Sequence, residues 1–343
     1  MTRYHLLGLA VLIASPGLAQ SADNDLKPVA EIKLNATVSA LLPSKDGKHI
    51  YFMNKSDGKI QRIDVARKAL DATDVELVEG AESFALSPDG KTIYVSASPN
   101  GHNAYSGSDK EVGKIQVIDV EKMAVTSTFS MKFDPFEIAA TDDGKVYAAG
   151  GSNQHTKLAV IDVKKKSIVG DVGGLYMKSN MRMTPDGKRL YCSSNGLSPG
   201  SMNGTWLGEK GKPGMSHGAG GGPFDITPDG KFVVFQSGMV SRLGKSPTED
   251  LKEAGKVKPN LGFALDVGAK TVWLATREGE LQKVSYPDFE LQETFVLPKR
   301  AYQLYLHPKT KLLFAALDNK KDRGINDTGG VGNIAIFELK MKD

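Results

Sequence analysis

One twelve-residue segment, repeated in related copies along almost the whole chain, limits the fold more than any other feature of the sequence. Its clearest copy runs from Phe84 to Val95 and centres on Ser87-Pro88-Asp89-Gly90. Proline presets the backbone at the second position of a tight turn, and glycine accepts the positive φ that follows. Because apolar, β-prone residues flank this turn on both sides, the segment predicts a hairpin of two antiparallel strands.

Six further copies occur at a spacing of about forty residues, which is typical of the four-stranded blade of a propeller. A third strand with a common ending follows three of the hairpins. The additional turns centre on Asp46-Gly47, Asp143-Gly144, Asp186-Gly187 and Asp229-Gly230, degraded copies begin at Leu265 and Leu306, and the third-strand endings are Ile63-Asp64-Val65, Ile118-Asp119-Val120 and Ile161-Asp162-Val163.

The two ends of the chain are complementary. Val29 to Leu34 form a predicted strand that precedes the first hairpin and has no earlier strands of its own blade. At the other end, the hairpin around Pro308 and the strand from Asn333 to Leu339 supply three strands, and the chain then stops. We therefore predict an all-β, seven-bladed β-propeller in which the N-terminal strand completes the last blade and covers its free edge.

The N-terminus carries the pattern of a secretory signal. Arg3 precedes an apolar run from Leu6 to Ala14, and small residues follow up to Ala19. The run is too short to span a bilayer, and the pattern indicates a signal peptide over residues 1–19. We predict that residues 20–343 form a single propeller domain that is exported, soluble, and located in the periplasm or at the cell surface.

Charge and cysteine content exclude few classes of partner or function. The formal net charge is +4, with lysines and acidic residues interspersed, which permits contact with anionic polymers or lipid head groups without indicating it. Cys192 is the single cysteine and lies in an apolar strand. The sequence therefore predicts a buried structural thiol and no internal disulfide.

The segment over residues 87–95, together with the Ile-Asp-Val strand endings, resembles the bacterial YVTN family of seven-bladed propellers, and the resemblance extends over nearly all of the chain after the signal. It implies an exported or surface protein, in a family whose roles are varied. Related architectures include periplasmic DNA-binding propellers and the propeller parts of amine dehydrogenases and haem nitrite reductases. This chain has no Cys-x-x-Cys-His motif, and one cysteine cannot form a crosslinked quinone, so no cofactor is predicted.

Two regions depart from the repeat. More than a third of residues 196–222 are glycine, and the Ile-Asp-Val strand is missing there. We expect either a degraded blade edge with a flexible surface loop, or a loop that covers or docks a ligand. Ser246 to Ala254 combine Ser and Thr with following acidic residues, which predicts a capped helical turn.

The repeat also predicts where a binding site would lie. In a propeller, the loops between second and third strands lie on the same face as the loops that lead into the innermost strands. Three long loops, residues 98–112, 196–222 and 318–331, fall on that face around the mouth of the channel. Long loops at one rim indicate a binding face. The candidate ligand-binding residues on these loops and on the innermost strands are His102, Asn103, Tyr105, Arg182, Trp206, His217, Asp225, Arg300 and Tyr302.

Three functions remain open. The first is a binding or scaffold protein with a protein or envelope-polymer partner and no catalytic residues, since the chain has neither a Gly-x-Ser-x-Gly motif nor a phosphate loop. The second is a metal- or cofactor-dependent enzyme or redox subunit; its candidate ligands, His102, His155 and His217, lack a local ligand spacing. The third is single-stranded nucleic-acid binding through aromatic side chains such as Tyr105 and Trp206.

Overall fold

The structure, a computed structural model, describes residues 25–103, 113–194, 200–207, 214–319 and 330–339. In these ranges the chain forms twenty-eight β-strands joined by turns, with no helix, so nothing described there is a helix that could span a membrane. The signal peptide predicted for residues 1–19 lies outside the described residues.

Five antiparallel sheets of four strands each make up most of the molecule. In every one, consecutive strands pair in chain order, which is the arrangement of a propeller blade. The strands that precede them are β1 Ala30–Pro43, β2 His49–Asn54, β3 Lys59–Asp64, β4 Ala69–Leu70 and β5 Val75–Glu76. The five sheets are β6 Ala81–Leu86, β7 Thr92–Ala97, β8 Gly113–Asp119 and β9 Ala124–Met131; β10 Pro135–Ala140, β11 Lys145–Gly150, β12 Thr156–Asp162 and β13 Ser167–Leu175; β14 Asn180–Met183, β15 Arg189–Ser193, β16 Ser201–Trp206 and β17 Gly214–Ala219; β18 Phe224–Ile226, β19 Phe232–Phe235, β20 Met239–Arg242 and β21 Lys252–Lys256; and β22 Asn260–Asp266, β23 Thr271–Thr276, β24 Glu280–Ser285 and β25 Leu291–Val296.

The remaining strands form one sheet of eight strands that contains both ends of the described chain. Its last members are β26 Ala301–Leu306, β27 Leu312–Leu317 and β28 Val331–Glu338. Strand β1 joins them to β2 through β5: its first part pairs with β28, from Ala30 opposite Ile336 to Thr37 opposite Val331, and its second part pairs with β2. The N-terminal strand is therefore the direct hydrogen-bonded neighbour of the C-terminal strand.

The repeated turns share one hydrogen-bond network that explains their sequence. In the best-preserved copy, the Ser87 hydroxyl donates to the Asp89 carboxylate at 2.5 Å and accepts the Thr92 amide at 2.9 Å. The Gly90 amide donates to the Ser87 carbonyl, and Gly90 has φ 75°. Because left-handed φ favours glycine, the Asp-Gly pair fixes the turn and its hairpin. Equivalent Ser/Thr-to-Asp bonds occur at Ser44–Asp46, Thr141–Asp143, Thr184–Asp186 and Thr227–Asp229.

These turns lie together at one end of the molecule, which we call the turn face. The Lys45 ammonium donates to the Pro88 carbonyl of the adjacent turn at 3.5 Å, and His307 Nε2 is 3.0 Å from the Gly47 carbonyl oxygen. The second strands end, and the first and third strands begin, at the opposite end, which we call the loop face.

Apolar side chains hold adjacent sheets face to face. One buried cluster joins Tyr51 and Met53 of β2 to Phe84, Ile93 and Val95 of β6 and β7. Complete burial of such side chains contributes about 1.5–3 kcal/mol each, so the contacts between sheets are a major source of stability. Cys192 lies in a similar cluster as a buried free thiol, as the sequence predicted.

Two local predictions were wrong. The glycine-rich region is no plain loop, because Ser201–Trp206 and Gly214–Ala219 are the paired strands β16 and β17. The expected helical turn at residues 246–254 is a tight turn followed by β21, and in it the Glu249 amide donates to the Ser246 carbonyl at 3.1 Å. That turn is held by the buried Asp250 carboxylate, which accepts hydrogen bonds from Tyr191, Ser216 and the Gly244 amide.

Candidate functional site

A central cavity of about 630 Å³ lies where the first strands of the sheets converge. Residues near the beginnings of β10, β14, β18, β22 and β26 line it, as do residues 37–39, where the part of β1 that pairs with β2 begins. Lys55, Gln236 and Arg277, which follow the ends of second strands, also line it, with Val234 of β19. Both sets of positions are at the loop face. The volume is within the range of small-molecule sites, and seven different strands contribute to its wall.

Arg182 carries the clearest charge arrangement in this cavity. Its Nη1 is 3.3 Å from Glu137 Oε2, and its Nε is 3.6 Å from Asp225 Oδ1. Burial alone would lower the pKa of Arg182, but the two carboxylates outweigh it and raise that pKa, so the guanidinium stays charged. The Asp225 side chain is 56% exposed and the Arg182 side chain 37%, which leaves both accessible to a ligand.

The other predicted residues of the innermost strands divide into two groups. Tyr302 lines the cavity but is buried, and its hydroxyl accepts the Val38 amide at 3.0 Å. Arg300 does not line the cavity; its Nη2 donates to the buried Asp318 carboxylate at 2.8 Å. Arg182, Asp225 and Tyr302 therefore line one cavity, whereas Arg300, just before β26, forms a structural ion pair with Asp318.

His102 is placed inside the protein rather than on the rim. Its side chain is 3% exposed, with Nδ1 3.0 Å from Asp134 Oδ2 and Nε2 3.1 Å from Glu82 Oε1. Burial would lower the pKa of His102, but the hydrogen bonds from the imidazolium to Asp134 and Glu82 outweigh it and raise that pKa to about 9. The imidazolium thus links Glu82 of β6 to Asp134, which precedes β10, and the ring of Phe136 in β10 meets it edge-on.

Three of the predicted loop residues do not form a rim site. Trp206 ends β16 opposite Arg189, which follows a tight turn, so Trp206 lies toward the turn face with the Arg189 guanidinium 4.9 Å from its ring centroid. His217 is an exposed residue of the outermost strand β17 and bonds Asn203 through Nδ1 at 2.8 Å. The placement of both on a channel-rim loop was wrong, because the glycine-rich region forms strands. Tyr105 lies outside the described residues.

Asn103 is exposed on the loop face, where its backbone amide donates to Ser152 Oγ at 3.0 Å.

The three candidate metal ligands do not share one site. His102 bonds two carboxylates on opposite sides of its ring, His155 precedes β12, and His217 lies in β17 bonded to Asn203. Among the described residues no group of three or more His, Cys, Asp or Glu side chains could hold a metal ion.

A second cavity, of about 560 Å³, lies between the sheets β10–β13 and β14–β17. We call it the inter-sheet cleft. Hydroxyl, amide and imidazole groups line it, together with Leu175 and the Cys192 thiol. Burial raises the pKa of that thiol to about 12, so it is neutral and unsuited to nucleophilic chemistry. The cleft shares no lining residue with the central cavity.

Sequence reasoning missed the partners that define these sites. Glu137, Lys55 and Glu82 carry no motif, and each is distant along the chain from the residue it pairs with. The available signal was periodic: Glu82, Glu137, Arg182 and Asp225 occupy similar places in successive first strands, near the beginning of each. Counted back from the Asp of each Asp-Gly turn, Arg182 and Asp225 share one position, four residues earlier, so aligning the repeats on these turns would have paired Arg182 with Asp225 but not with Glu137 or Glu82.

Fold and cavity together define a β-propeller with a charged central cavity at its loop face. The structure is similar to the β-propeller domain of Cps50 (Swd1) from Myceliophteria thermophila, with a TM-score of 0.66 and 14% identity over 92% of this chain and 100% of that chain. A second similarity, to hydrazine synthase of Kuenenia stuttgartiensis, has a TM-score of 0.43 and 17% identity over 91% of this chain and 84% of that chain. No family model and no curated protein matches the sequence. At 14% identity the first likeness establishes the propeller fold alone, and membership of the YVTN family is not confirmed.

Proposed function

We propose that this chain is an exported β-propeller that binds or scaffolds a protein or envelope-polymer partner through its loop face. The observation that carries the proposal is the central cavity, in which Arg182 lies between Glu137 and Asp225 and Lys55 adds a second cation. Charged groups of both signs at a recess are suited to orienting a polar partner. Export is supported by the apolar run from Leu6 to Ala14 behind Arg3.

The proposal includes seven blades and a closed ring. It is supported by the division of β1, whose first part would be the fourth strand beside β26, β27 and β28. Its second part would be the first strand beside β2, β3 and the short strands β4 and β5. On this division the eight-stranded sheet is two blades, which stand beside five others. The N-terminal strand then closes the ring and leaves no free edge in the last blade.

The test reverses one charge on each face. Asp225→Lys changes the exposed acid at the cavity, and Asp142→Lys changes an exposed acid in the turn between β10 and β11 on the turn face. Each variant and the wild type are expressed in the native host with the signal segment intact, crosslinked in cells and purified. We expect the wild type and Asp142→Lys to retain the same crosslinked partner, and Asp225→Lys to lose it.

Two controls accompany this experiment. Circular dichroism and melting curves confirm that both variants fold, and the N-terminus of the exported protein should begin at Gln20. A partner retained by Asp225→Lys and lost by Asp142→Lys would assign binding to the turn face and overturn the proposal. The nucleic-acid and enzyme alternatives have no comparable support, since Trp206 lies toward the turn face and His102 is committed to two carboxylates.

A further inference from the structure

The inter-sheet cleft has the features of a small-molecule site that is separate from the central cavity. Ser194 follows β15 at the loop face and lines the cleft. The residue is buried, with 6% of its surface exposed. The Ser194 hydroxyl oxygen is buried and makes no hydrogen bond, whereas its backbone amide and carbonyl are both bonded. A buried hydroxyl without a partner costs about 1–3 kcal/mol, and a bound ligand group would remove that cost.

The lining of the cleft indicates the class of ligand. Within the described part of the chain, none of the lining residues is Asp, Glu, Lys or Arg. A charged ligand would lose water without gaining an opposite charge, which is unfavourable. Asn203 and Gln154 supply amide groups that can both donate and accept, and Ser194 supplies a hydroxyl with the same property. This set matches a ligand that presents several neutral hydroxyl groups.

An aromatic side chain completes the site. Tyr176, between β13 and β14, lines the cleft, is partly exposed and lies beside Leu175. The apolar face of a sugar ring packs well on an aromatic ring, while its hydroxyls point toward polar groups. The volume of about 560 Å³ is in the range of small-molecule sites. We propose that the inter-sheet cleft binds a neutral saccharide, with Tyr176 against the ring and Ser194 and Asn203 bonded to its hydroxyls.

Isothermal titration calorimetry of the full mature protein tests this proposal with cellobiose, maltose and N,N′-diacetylchitobiose as probes and glucose 6-phosphate as the charged comparison. At least one neutral disaccharide should bind in the millimolar range or tighter, and glucose 6-phosphate should bind more weakly. Ser194→Ala should lower the affinity about three- to tenfold, which corresponds to the loss of one neutral hydrogen bond. Tyr176→Leu should lower it, and Tyr176→Phe should preserve it.

Ser193→Ala is the matched control. The Ser193 hydroxyl is also buried and makes no hydrogen bond, but Ser193 does not line the cleft, so this variant should bind like the wild type. Neither serine variant should lower the melting temperature, because each removes a hydroxyl that has no protein partner. Absence of binding by all three neutral probes, tighter binding of glucose 6-phosphate, or equal affinity of Ser194→Ala and wild type would each overturn the proposal. These outcomes are independent of the crosslinking test, which concerns the central cavity.

Discussion

His102 is the residue whose surroundings have the clearest consequence for stability. It lies between Glu82 and Asp134 with both ring nitrogens bonded, and Lys55 lies 3.8 Å from the other oxygen of Glu82. Its pKa is raised from 6.5 to about 9, so the folded protein holds a proton that the unfolded chain releases at lower pH. The group therefore stabilises the fold fully below pH 6.5, and this stabilisation disappears as the pH rises through about 9.

We expect His102→Gln to be less stable than the wild type by about 3 kcal/mol at pH 6, the free-energy equivalent of the raised pKa. The difference should shrink steadily toward pH 9.5. Urea unfolding of both proteins from pH 6 to pH 9.5 measures this difference in the free energy of unfolding. Contributions from lysines and tyrosines, which titrate in both proteins, cancel in the difference. His155→Gln, which changes an exposed histidine, should follow the wild-type curve. Parallel curves for His102→Gln and wild type would contradict the assigned ion pairs.

Individual residues differ in how far the sequence predicts them. Gly90 and its equivalents were predicted at positive φ because a local turn demands it. In the two degraded copies no glycine occupies that position, and Lys270 and Lys311, which match Lys91, adopt φ 50° and 57°. The burial of His102 could not be predicted, because its two acidic partners are 20 and 32 residues away in the sequence. A turn can be predicted from adjacent residues, whereas an ion pair between residues of different sheets depends on how those sheets pack together.

At the scale of elements, β16 and β17 explain why a glycine-rich sequence was mistaken for a loop. A Cβ on Gly204 would lie 2.2 Å from Ser216 Oγ and 2.7 Å from the Tyr191 ring, and one on Gly218 would lie 2.5 Å from Leu251 Cβ. These glycines are required because other side chains fill the space beside the strands. Glycine weakens strand propensity, so the sequence pattern favoured a loop while tertiary packing favoured strands.

Gly204→Ala should therefore lower the free energy of unfolding by about 1–3 kcal/mol, the usual cost of adding a methyl group to a filled space. Gly170→Ala in β13 is the matched control, since a Cβ there meets no atom within 4 Å; it should leave stability unchanged or raise it slightly. Chemical denaturation of the two variants measures the contrast. Equal stabilities would mean that the strand pairing of this region does not depend on the close contact with Tyr191 and Ser216.

At the scale of the whole molecule, stability depends on how the first and last strands meet. The sequence predicted this meeting from two incomplete ends, and the pairing of β1 with β28 agrees with that reasoning. Ile32 opposes Ile334, and both belong to a buried cluster that includes Phe314 and Ile50. Because strands far apart in the chain share this cluster, separating β1 from β28 would expose apolar surface on both strands.

A covalent link across the joint tests the proposed closed ring directly. Thr37 and Val331 are opposite one another in the antiparallel ladder, where paired Cα atoms are about 4.5–5.5 Å apart, and that distance suits a disulfide. Thr37→Cys combined with Val331→Cys should oxidise readily, because the native Cys192 is buried and its raised pKa makes it a slow competitor. The oxidised protein should migrate faster than the reduced protein on a non-reducing gel.

The link joins residues near both ends of the chain, so it constrains almost the entire unfolded ensemble and should stabilise the protein by about 2–4 kcal/mol. Melting curves with and without reductant measure this gain on the same sample. A variant that carries only one of the two new cysteines cannot form the link and should melt alike in both conditions. If the ring were open in solution, the two cysteines would remain reduced under mild oxidant, or the oxidised protein would melt no higher than the reduced one. A gain that vanishes with reductant would mean that separation of β1 from β28 is part of global unfolding, as a closed propeller requires.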